Sequence, residues 1–220
     1  MVDVTLRRAR RRERATRAQM ASAAREYAAM GWPVCQGAAV SRDRGSGRAC
    51  SCDRVGCPAP GAHPVSPAWQ LQATANPAVA GRWWSAAPEA NVILATGRVF
   101  DVLDVPVTAG LDALALMDGA GTRPGPVAVS AGERALFFVA TRGAPGWQDE
   151  WWSCHLDCVP DDMTETAGLR WHCRDSYVLA PPSRHGDGLV ARWLRPPDGR
   201  PLPDAVRLLE FLADASEAAP

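Results

Sequence analysis

The sequence predicts an α+β protein in which an antiparallel sheet is flanked by helices. Helical and strand-like segments are interspersed along the chain, without the strict alternation that is typical of parallel sheets. Two pairs of strand-like segments are separated by short turns, at 96–98 and 131–134, and such turns favour hairpins and therefore antiparallel pairing. The 220 residues are 47% hydrophobic, which is enough for the core of one domain.

The helices are predicted from apolar residues at helical spacing and from capping residues. A first helix is expected over 16–30, ended by Gly31 and blocked from continuing by Pro33. Asn76 is expected to cap a helix over 77–84, and Asp204 to cap the last helix. A further short helix is expected over 111–117.

The strands are predicted from short runs of β-branched, aromatic and other apolar residues bounded by Gly, Pro and polar residues. The segments that fit this pattern are 32–35, 91–95, 99–105, 127–129, 135–140, 169–173 and 177–180.

The chain is predicted to have a central domain with an appendage at each end. Residues 1–17 carry seven arginines and are expected to form a basic, frayed arm, which is either a solvated helix end or a contact for nucleic acid. The central domain spans 18–195, and 196–220 form a C-terminal helix and tail. All 24 basic residues are arginines, yet the formal net charge is zero and by itself indicates no partner.

No apolar stretch of the length of a signal peptide or a membrane span occurs in the sequence. We therefore expect a cytoplasmic protein that makes no use of a membrane. In a reducing compartment the seven cysteines are expected to be thiols or metal ligands rather than disulfides.

Three cysteines and one histidine, Cys50, Cys52, Cys57 and His63, lie within a Gly- and Pro-rich loop over 41–67. Soft ligands at this density suit tetrahedral Zn²⁺, and a loop without an apolar face gains its order from the metal. Four protein ligands leave no open position, so the predicted role of this zinc knuckle is structural. The alternative is a reduced loop with incidental thiols. A second group could form another metal site or reflect chance: Cys154, His155, Cys158, His172 and Cys173.

Several further stretches follow one another in an order that identifies a family. They are Gly31 to Val34, the Cys-rich loop ending at Pro64, Trp83-Trp84, Pro88 to Gly97, Leu103 to Val105 and Tyr177 to His185. Together they resemble the bifunctional DNA primase/polymerase (prim-pol) domain of the archaeo-eukaryotic primase superfamily, over about residues 20–195. The resemblance implies an RRM-like antiparallel sheet and nucleotidyl transfer on a DNA template, with Mg²⁺ or Mn²⁺ held by carboxylates.

The first catalytic motif of that family departs from its pattern here. The family places two acids two residues apart on a strand, where they share one face and one metal. Asp104 matches the first acid, whereas Pro106 stands in place of the second. Asp101 lies three residues before Asp104, so the strand period turns it to the opposite face.

The second and third motifs also depart from the pattern. Ala135 aligns with the family's phosphate-binding histidine, although the neighbouring Arg134 could still meet a phosphate. Arg170 aligns with the third acid. The resemblance further implies that Ser183 and His185, which follow two prolines, lie beside the nucleotide; the alternative is a rigid surface loop.

The favoured hypothesis is a prim-pol-like protein that has lost or reduced nucleotidyltransferase activity and binds DNA or nucleotides in replication, with a helicase or another replication protein as a separate partner. Asp104 is then the remnant of the active site. One alternative is an active enzyme that uses Mg²⁺ or Mn²⁺ with substitute acids, from Glu133, Asp175 or 157–165. Another is a non-catalytic interaction module with a Trp-rich surface.

Overall fold

A computed structural model describes residues 2–40, 50–52, 54, 56–130, 133–141, 168–186 and 188–217, with the side chains of 2–10, 12, 13, 214, 216 and 217 left out. The described chain is a mixed α+β structure with antiparallel sheets, as predicted. Its elements in chain order are α1 (Val2–Ala29), β1 (Val34–Gly37), α2 (Trp69–Gln72), α3 (Pro77–Ala86), β2 (Asn91–Ala95), β3 (Phe100–Pro106), α4 (Val107–Gly119), β4 (Val127–Ser130), β5 (Arg134–Ala140), β6 (Arg170–His172), β7 (Tyr177–Leu179), β8 (Arg192–Arg195) and α5 (Ala205–Glu217).

The strands form two sheets. The smaller has the order β1-β2-β7 and the larger the order β6-β3-β5-β4-β8, and the pairs within both are antiparallel. The predicted pairing of β4 with β5 is confirmed, with Ser130 opposite Arg134.

The predicted hairpin between β2 and β3 is wrong, because the two strands belong to different sheets. The turn at Gly97 instead carries the chain from the smaller sheet to the larger. Gly97 has φ +79, and a Cβ there would lie 2.2 Å from the Cα of Arg174. Glycine is therefore needed for close approach to the β6–β7 turn as well as for the positive φ.

Two hydrophobic cores lie on the two faces of the larger sheet. Phe100 and Val102 of β3 face a core shared with the smaller sheet, α1 and α3. Leu103 and Val105 face the other way, toward α4 and α5. This alternation along β3 is the period-two pattern of a strand that is buried on both faces.

An aromatic group fills the first core. The Trp32 ring stacks on Phe138 at a centroid distance of 5.2 Å and on Tyr27 at 6.0 Å. The Tyr27 hydroxyl donates to the Pro181 carbonyl at 2.6 Å and accepts from the Trp193 indole at 3.0 Å. Burial raises the pKa of Tyr27, so its hydroxyl stays protonated and joins α1 to the loop after β7 and to β8.

The first helix is longer than expected. α1 begins at Val2, so the basic segment that was expected to be a frayed arm is helical. Its arginines, alanines and glutamate are among the better helix formers, which explains the extension. Arg17 of α1 forms an ion pair of 2.9 Å with Glu89 before β2. Among the described residues, no helix is both long and apolar enough to cross a membrane.

The predicted caps are present. The Asn76 side chain accepts from the backbone N–H groups of Ala78 and Val79, and Asp204 caps α5 in the same way. The four-residue elements α2 and β8 lack a recognisable pattern in the sequence and were not expected. Leu208 and Leu212 of α5 are fully buried against α4 and the larger sheet, so the last helix completes the second core.

Leu208→Ala is expected to lower the free energy of unfolding by about 3 kcal/mol, because it leaves a cavity in the second core. The same chemical change at Leu116, which is 53% exposed on α4, should change it by about 0.5 kcal/mol or less. Urea denaturation of both variants measures the difference. Equal stability of the two variants would contradict the assignment of α5 to the core.

Candidate metal centre and nucleotide site

The zinc-knuckle residues converge. The ligand atoms of Cys50, Cys52, Cys57 and His63 all lie within 4.8 Å of one another. His63 Nε2 is 3.3 Å from Cys50 Sγ and 3.4 Å from Cys57 Sγ. These separations, and a set of three thiols and one imidazole, suit tetrahedral zinc, so the cluster could hold a zinc ion.

The hydrogen bonds of His63 and Cys52 also favour a metal. His63 Nδ1 donates to the Pro64 carbonyl at 2.9 Å, which leaves the lone pair of Nε2 facing the three sulfurs. A hydrogen bond from the Arg54 backbone lowers the pKa of the Cys52 thiol to about 7, whereas burial raises the pKa of Cys57. A thiolate is therefore available at Cys52 near neutral pH, and thiolates are the form that binds zinc.

Backbone hydrogen bonds place the knuckle beside the smaller sheet. Ala38 N–H donates to the His63 carbonyl at 2.9 Å, and Ser51 N–H donates to the Ala39 carbonyl at 2.8 Å. The chain after β1 is thereby tied to the segments that carry the ligands at both ends of the cluster.

Asn91 joins the knuckle to the loop after β7. Its buried side-chain amide donates to the carbonyls of Gly61 at 2.8 Å and Arg184 at 2.6 Å, and accepts from the Arg184 N–H at 3.0 Å. The sequence did not single out Asn91. The only available signal was a polar residue at the start of an otherwise apolar strand. This pattern does not predict the residue's hydrogen-bond partners.

The loop after β7 holds Ser183 and His185. Ser183 is fully buried, and its hydroxyl accepts from the Val92 N–H at 2.8 Å and donates to the Val92 carbonyl at 3.2 Å. The His185 N–H donates to the Leu189 carbonyl at 3.0 Å. Ser183 thus holds the loop against β2, and the nucleotide contact expected of Ser183 and His185 stays a prediction.

Asp104 lies at the centre of a polar cluster on the larger sheet, on the same face as the first core. Arg134 Nε donates to Asp104 Oδ1 at 2.6 Å, and His172 Nε2 donates to Asp104 Oδ2 at 3.1 Å. The other ring nitrogen of His172 lies 3.0 Å from Ser176 Oγ. Each oxygen of this buried carboxylate therefore has a basic partner.

Further hydrogen bonds hold Arg134 in place. Its Nη2 donates to the carbonyls of Asp104 and Gly168, both at 3.0 Å. The sequence indicated Arg134 as a phosphate contact but did not predict this ion pair, and it placed His172 with the second Cys/His group. Of that group, Cys154, His155 and Cys158 lie outside the described residues.

Strand register explains which motif positions reach Asp104. Asp104 pairs with Arg170 on one side, and Pro106 pairs with Arg134 on the other strand. Ala135 is buried in the second core, on the opposite face, so no side chain at that position could reach Asp104. Asp101 also lies on that face, where the Trp171 indole donates to it at 3.3 Å.

The structure describes two of the other acids considered from the sequence. Glu133 is an exposed turn residue with φ 113 that directly precedes β5. Asp175 lies beyond the far end of β6, 3.7 Å from Arg174. Residues 157–165 are outside the described residues.

A pair of divalent cations needs several carboxylate oxygens. Among the described residues, the larger sheet offers Asp104 alone at this position, with both oxygens engaged by basic groups. The neighbouring Arg170, opposite Asp104, and Pro106, two residues after it, offer no oxygen ligand from their side chains. These residues do not fit the Mg²⁺ or Mn²⁺ site that the family pattern implies.

Comparison with known proteins shows which family contains this chain. No curated protein matches the sequence. Residues 24–206 match the family described as bifunctional DNA primase/polymerase, N-terminal, which confirms the resemblance found in the motifs. This match includes the knuckle, the Asp104 cluster and the loop of Ser183, and it covers most of the 220 residues. The chain therefore belongs to the bifunctional DNA primase/polymerase N-terminal domain family.

Proposed function

We propose that this prim-pol domain has lost nucleotidyltransferase activity and acts by binding DNA or nucleotides in replication. The observation that carries the proposal is the Asp104–Arg134 ion pair. A guanidinium lies 2.6 Å from the carboxylate that the family pattern assigns to a catalytic metal.

Electrostatics argue against the family's chemistry at this position. The described charges on this face are one carboxylate, Asp104, and two guanidinium groups, Arg134 and Arg170, beside His172. A divalent cation would have to displace Arg134 from Asp104 and would then lie among like charges. Two-metal phosphoryl transfer depends on cations that clamp both reacting oxygens, so loss of their ligands removes its largest contribution.

The basic part of α1 supports a contact with DNA. Arg11 and Arg14 are exposed and lie three residues apart, so they share one side of the helix. Arginine binds phosphate oxygens in a bidentate manner, and such contacts supply most of the non-specific affinity for DNA. A replication role, a cytoplasmic location and a separate helicase or other replication partner stay predictions.

In this proposal, the knuckle is a structural zinc site. Its four ligands fill a tetrahedral coordination shell, so the ion would have no open position for a substrate. Its place between β1 and the loop after β7 indicates that the metal orders this side of the domain.

Two other functions are less well supported. An active enzyme would require further carboxylates beside Asp104, whose side-chain partners among the described residues are the basic groups of Arg134 and His172. An interaction module based on exposed tryptophans would require Trp147, Trp151 or Trp152, which lie outside the described residues. None of the tryptophans that the structure describes is exposed.

The purified protein is expected to synthesise and extend no primer with Mg²⁺ or Mn²⁺, since the Asp104 oxygens are engaged. Asp104→Ala should instead lower the free energy of unfolding by about 3 kcal/mol, because it leaves Arg134 part-buried without this partner. Asp118→Ala, at the exposed ion pair with Arg195, should change it by about 0.5 kcal/mol or less. Primer synthesis by the wild-type protein that Asp104→Ala abolishes would overturn the proposal.

The double variant Arg11→Glu/Arg14→Glu should weaken binding to labelled single-stranded DNA and reduce the slope of log K against log salt by about 1.4, for two lost phosphate contacts. Fluorescence anisotropy over a salt series measures both. Arg200→Glu/Arg207→Glu makes the same charge change at exposed residues near α5 and should have a smaller effect. Equal losses in the two double variants would argue against a specific role for α1.

Purified protein should contain about one zinc ion per chain, and Cys57→Ser or His63→Ala should remove it and lower the melting temperature. Cys35→Ala is the matched control. Burial raises the pKa of Cys35 to about 12, so this thiol stays protonated and should not affect zinc content. Elemental analysis and thermal melting measure the two effects. Full zinc content in the Cys57 and His63 variants would contradict the assignment.

A further inference from the structure

A cleft of about 220 Å³ lies between α1, the chain after β1, the segment before β2 and the loop after β7. It shares no lining residue with the cluster around Asp104. Pockets for drug-sized ligands have volumes of about 300–1,000 Å³, so this cleft suits a single ring system rather than a large cofactor. The contacts assigned so far to the Asp104 cluster and to the knuckle do not use it.

Part of the lining is apolar and is supported by the knuckle. Met20, Val40 and Pro88 line the cleft, and Met20 is only 2% exposed. Gly61 of the knuckle packs closely against Val40, because a Cβ on Gly61 would lie 2.6 Å from Val40 Cγ2. An apolar surface that is held in this way suits contact with the face of a planar ring.

The rest of the lining is polar and carries both signs of charge. Arg17, Arg184 and Glu89 line the cleft, and Glu89 forms an ion pair of 2.9 Å with Arg17. The side chains of this pair are 41% exposed at Arg17 and 54% exposed at Glu89, so a ligand in solution can reach both. Asn91 fixes the Arg184 backbone through hydrogen bonds of 2.6 and 3.0 Å. Guanidinium groups bind phosphate oxygens, and carboxylates accept from the amino groups of bases.

The basic segment of α1 leads to this cleft. Arg14 lies three residues before Arg17, and Arg11 lies three residues before Arg14, so successive arginines are neighbours on the helix. The rise of the helix separates Arg11 from Arg17 by about 9 Å along its axis, which is long enough to contact more than one phosphate of a strand. A DNA strand that binds Arg11 and Arg14 can therefore continue to Arg17 at the cleft.

We propose that this cleft binds one unstacked base of single-stranded DNA, while Arg17 and Arg184 bind the adjacent phosphates. The inference rests on the proposed function, because it names the form of DNA that the same basic helix binds. A base in a duplex must first be unpaired and unstacked, whereas a base in a single strand is available. Backbone contacts alone would favour the duplex, whose charge density is higher. A preference for the single strand is therefore the expected sign of a base contact.

The first test compares two labelled single strands of equal length on the wild-type protein by fluorescence anisotropy. One strand carries normal bases, and the other carries abasic sites throughout, so that the phosphates are the same. The strand with bases is expected to bind about tenfold more tightly, as is typical when a base stacks in a protein site. Equal affinities, or tighter binding of a duplex of the same length, would overturn the proposal.

The second test follows the base itself, in a single strand that alternates 2-aminopurine with thymine. Stacking quenches the emission of 2-aminopurine, so transfer of one base into the cleft should raise it. Arg184→Ala is expected to reduce this rise and to weaken binding about tenfold, since a hydrogen bond between charged groups is lost. Arg192→Ala is the matched control. It removes an exposed arginine from β8 and should leave both readings within about twofold.

Unchanged emission when the wild-type protein binds, or equal readings in the two variants, would contradict the proposal. If Arg184→Ala does not fold, the comparison of normal and abasic strands on the wild-type protein still decides. A free deoxynucleoside monophosphate offers the same base and phosphate but cannot extend along α1. It should not displace the strand when both are at the same concentration, and displacement under that condition would show that the free nucleotide is the ligand and would overturn the proposal.

These outcomes are separate from those that test the proposed function. DNA binding that depends on Arg11 and Arg14 but is insensitive to abasic sites, without primer synthesis, would overturn the inference and leave the proposed function intact. Primer synthesis by the wild-type protein would remove the proposed function, whereas the abasic comparison would still decide whether the cleft binds a base.

Discussion

The rest of the structure depends on the position of β3, which is paired on both edges and packed on both faces. Its residues from Phe100 to Val105 are buried, so every polar side chain among them needs a partner inside the protein. Asp101 has the Trp171 indole on one face, and Asp104 has Arg134 and His172 on the other. The burial of β3 therefore requires the polar cluster around Asp104, independently of any function.

This requirement shows how β3 can hold a buried carboxylate without a metal ion. A buried carboxylate without a cation is unstable, because desolvation disfavours its charge. Arg134 supplies the compensating charge from within the chain, where the family pattern implies a divalent ion. The buried carboxylate is therefore compensated by groups of this chain alone.

Much of the fold follows from local sequence patterns. The buried alternation of β3, the caps at Asn76 and Asp204, and the cluster from Cys50 to His63 depend on residue types at short spacing, which the sequence displays directly. The β2–β3 hairpin failed as a prediction because a short turn with glycine does not reveal which strands pair. Gly97 is required by its contact with the distant Arg174. His172 and Asn91 were missed for the same reason, since their partners are 68 and at least 30 residues away.

The hydrogen bonds of Asn91 have a consequence for local motion. One amide group spans the knuckle at Gly61 and the loop at Arg184, and a Cβ on Gly61 would lie 2.7 Å from the Arg184 carbonyl. Because the same amide holds both segments, we expect them to open together rather than separately. Hydrogen exchange at the Arg184 backbone amide would then depend on whether the knuckle thiols bind a metal, although this amide does not contact them.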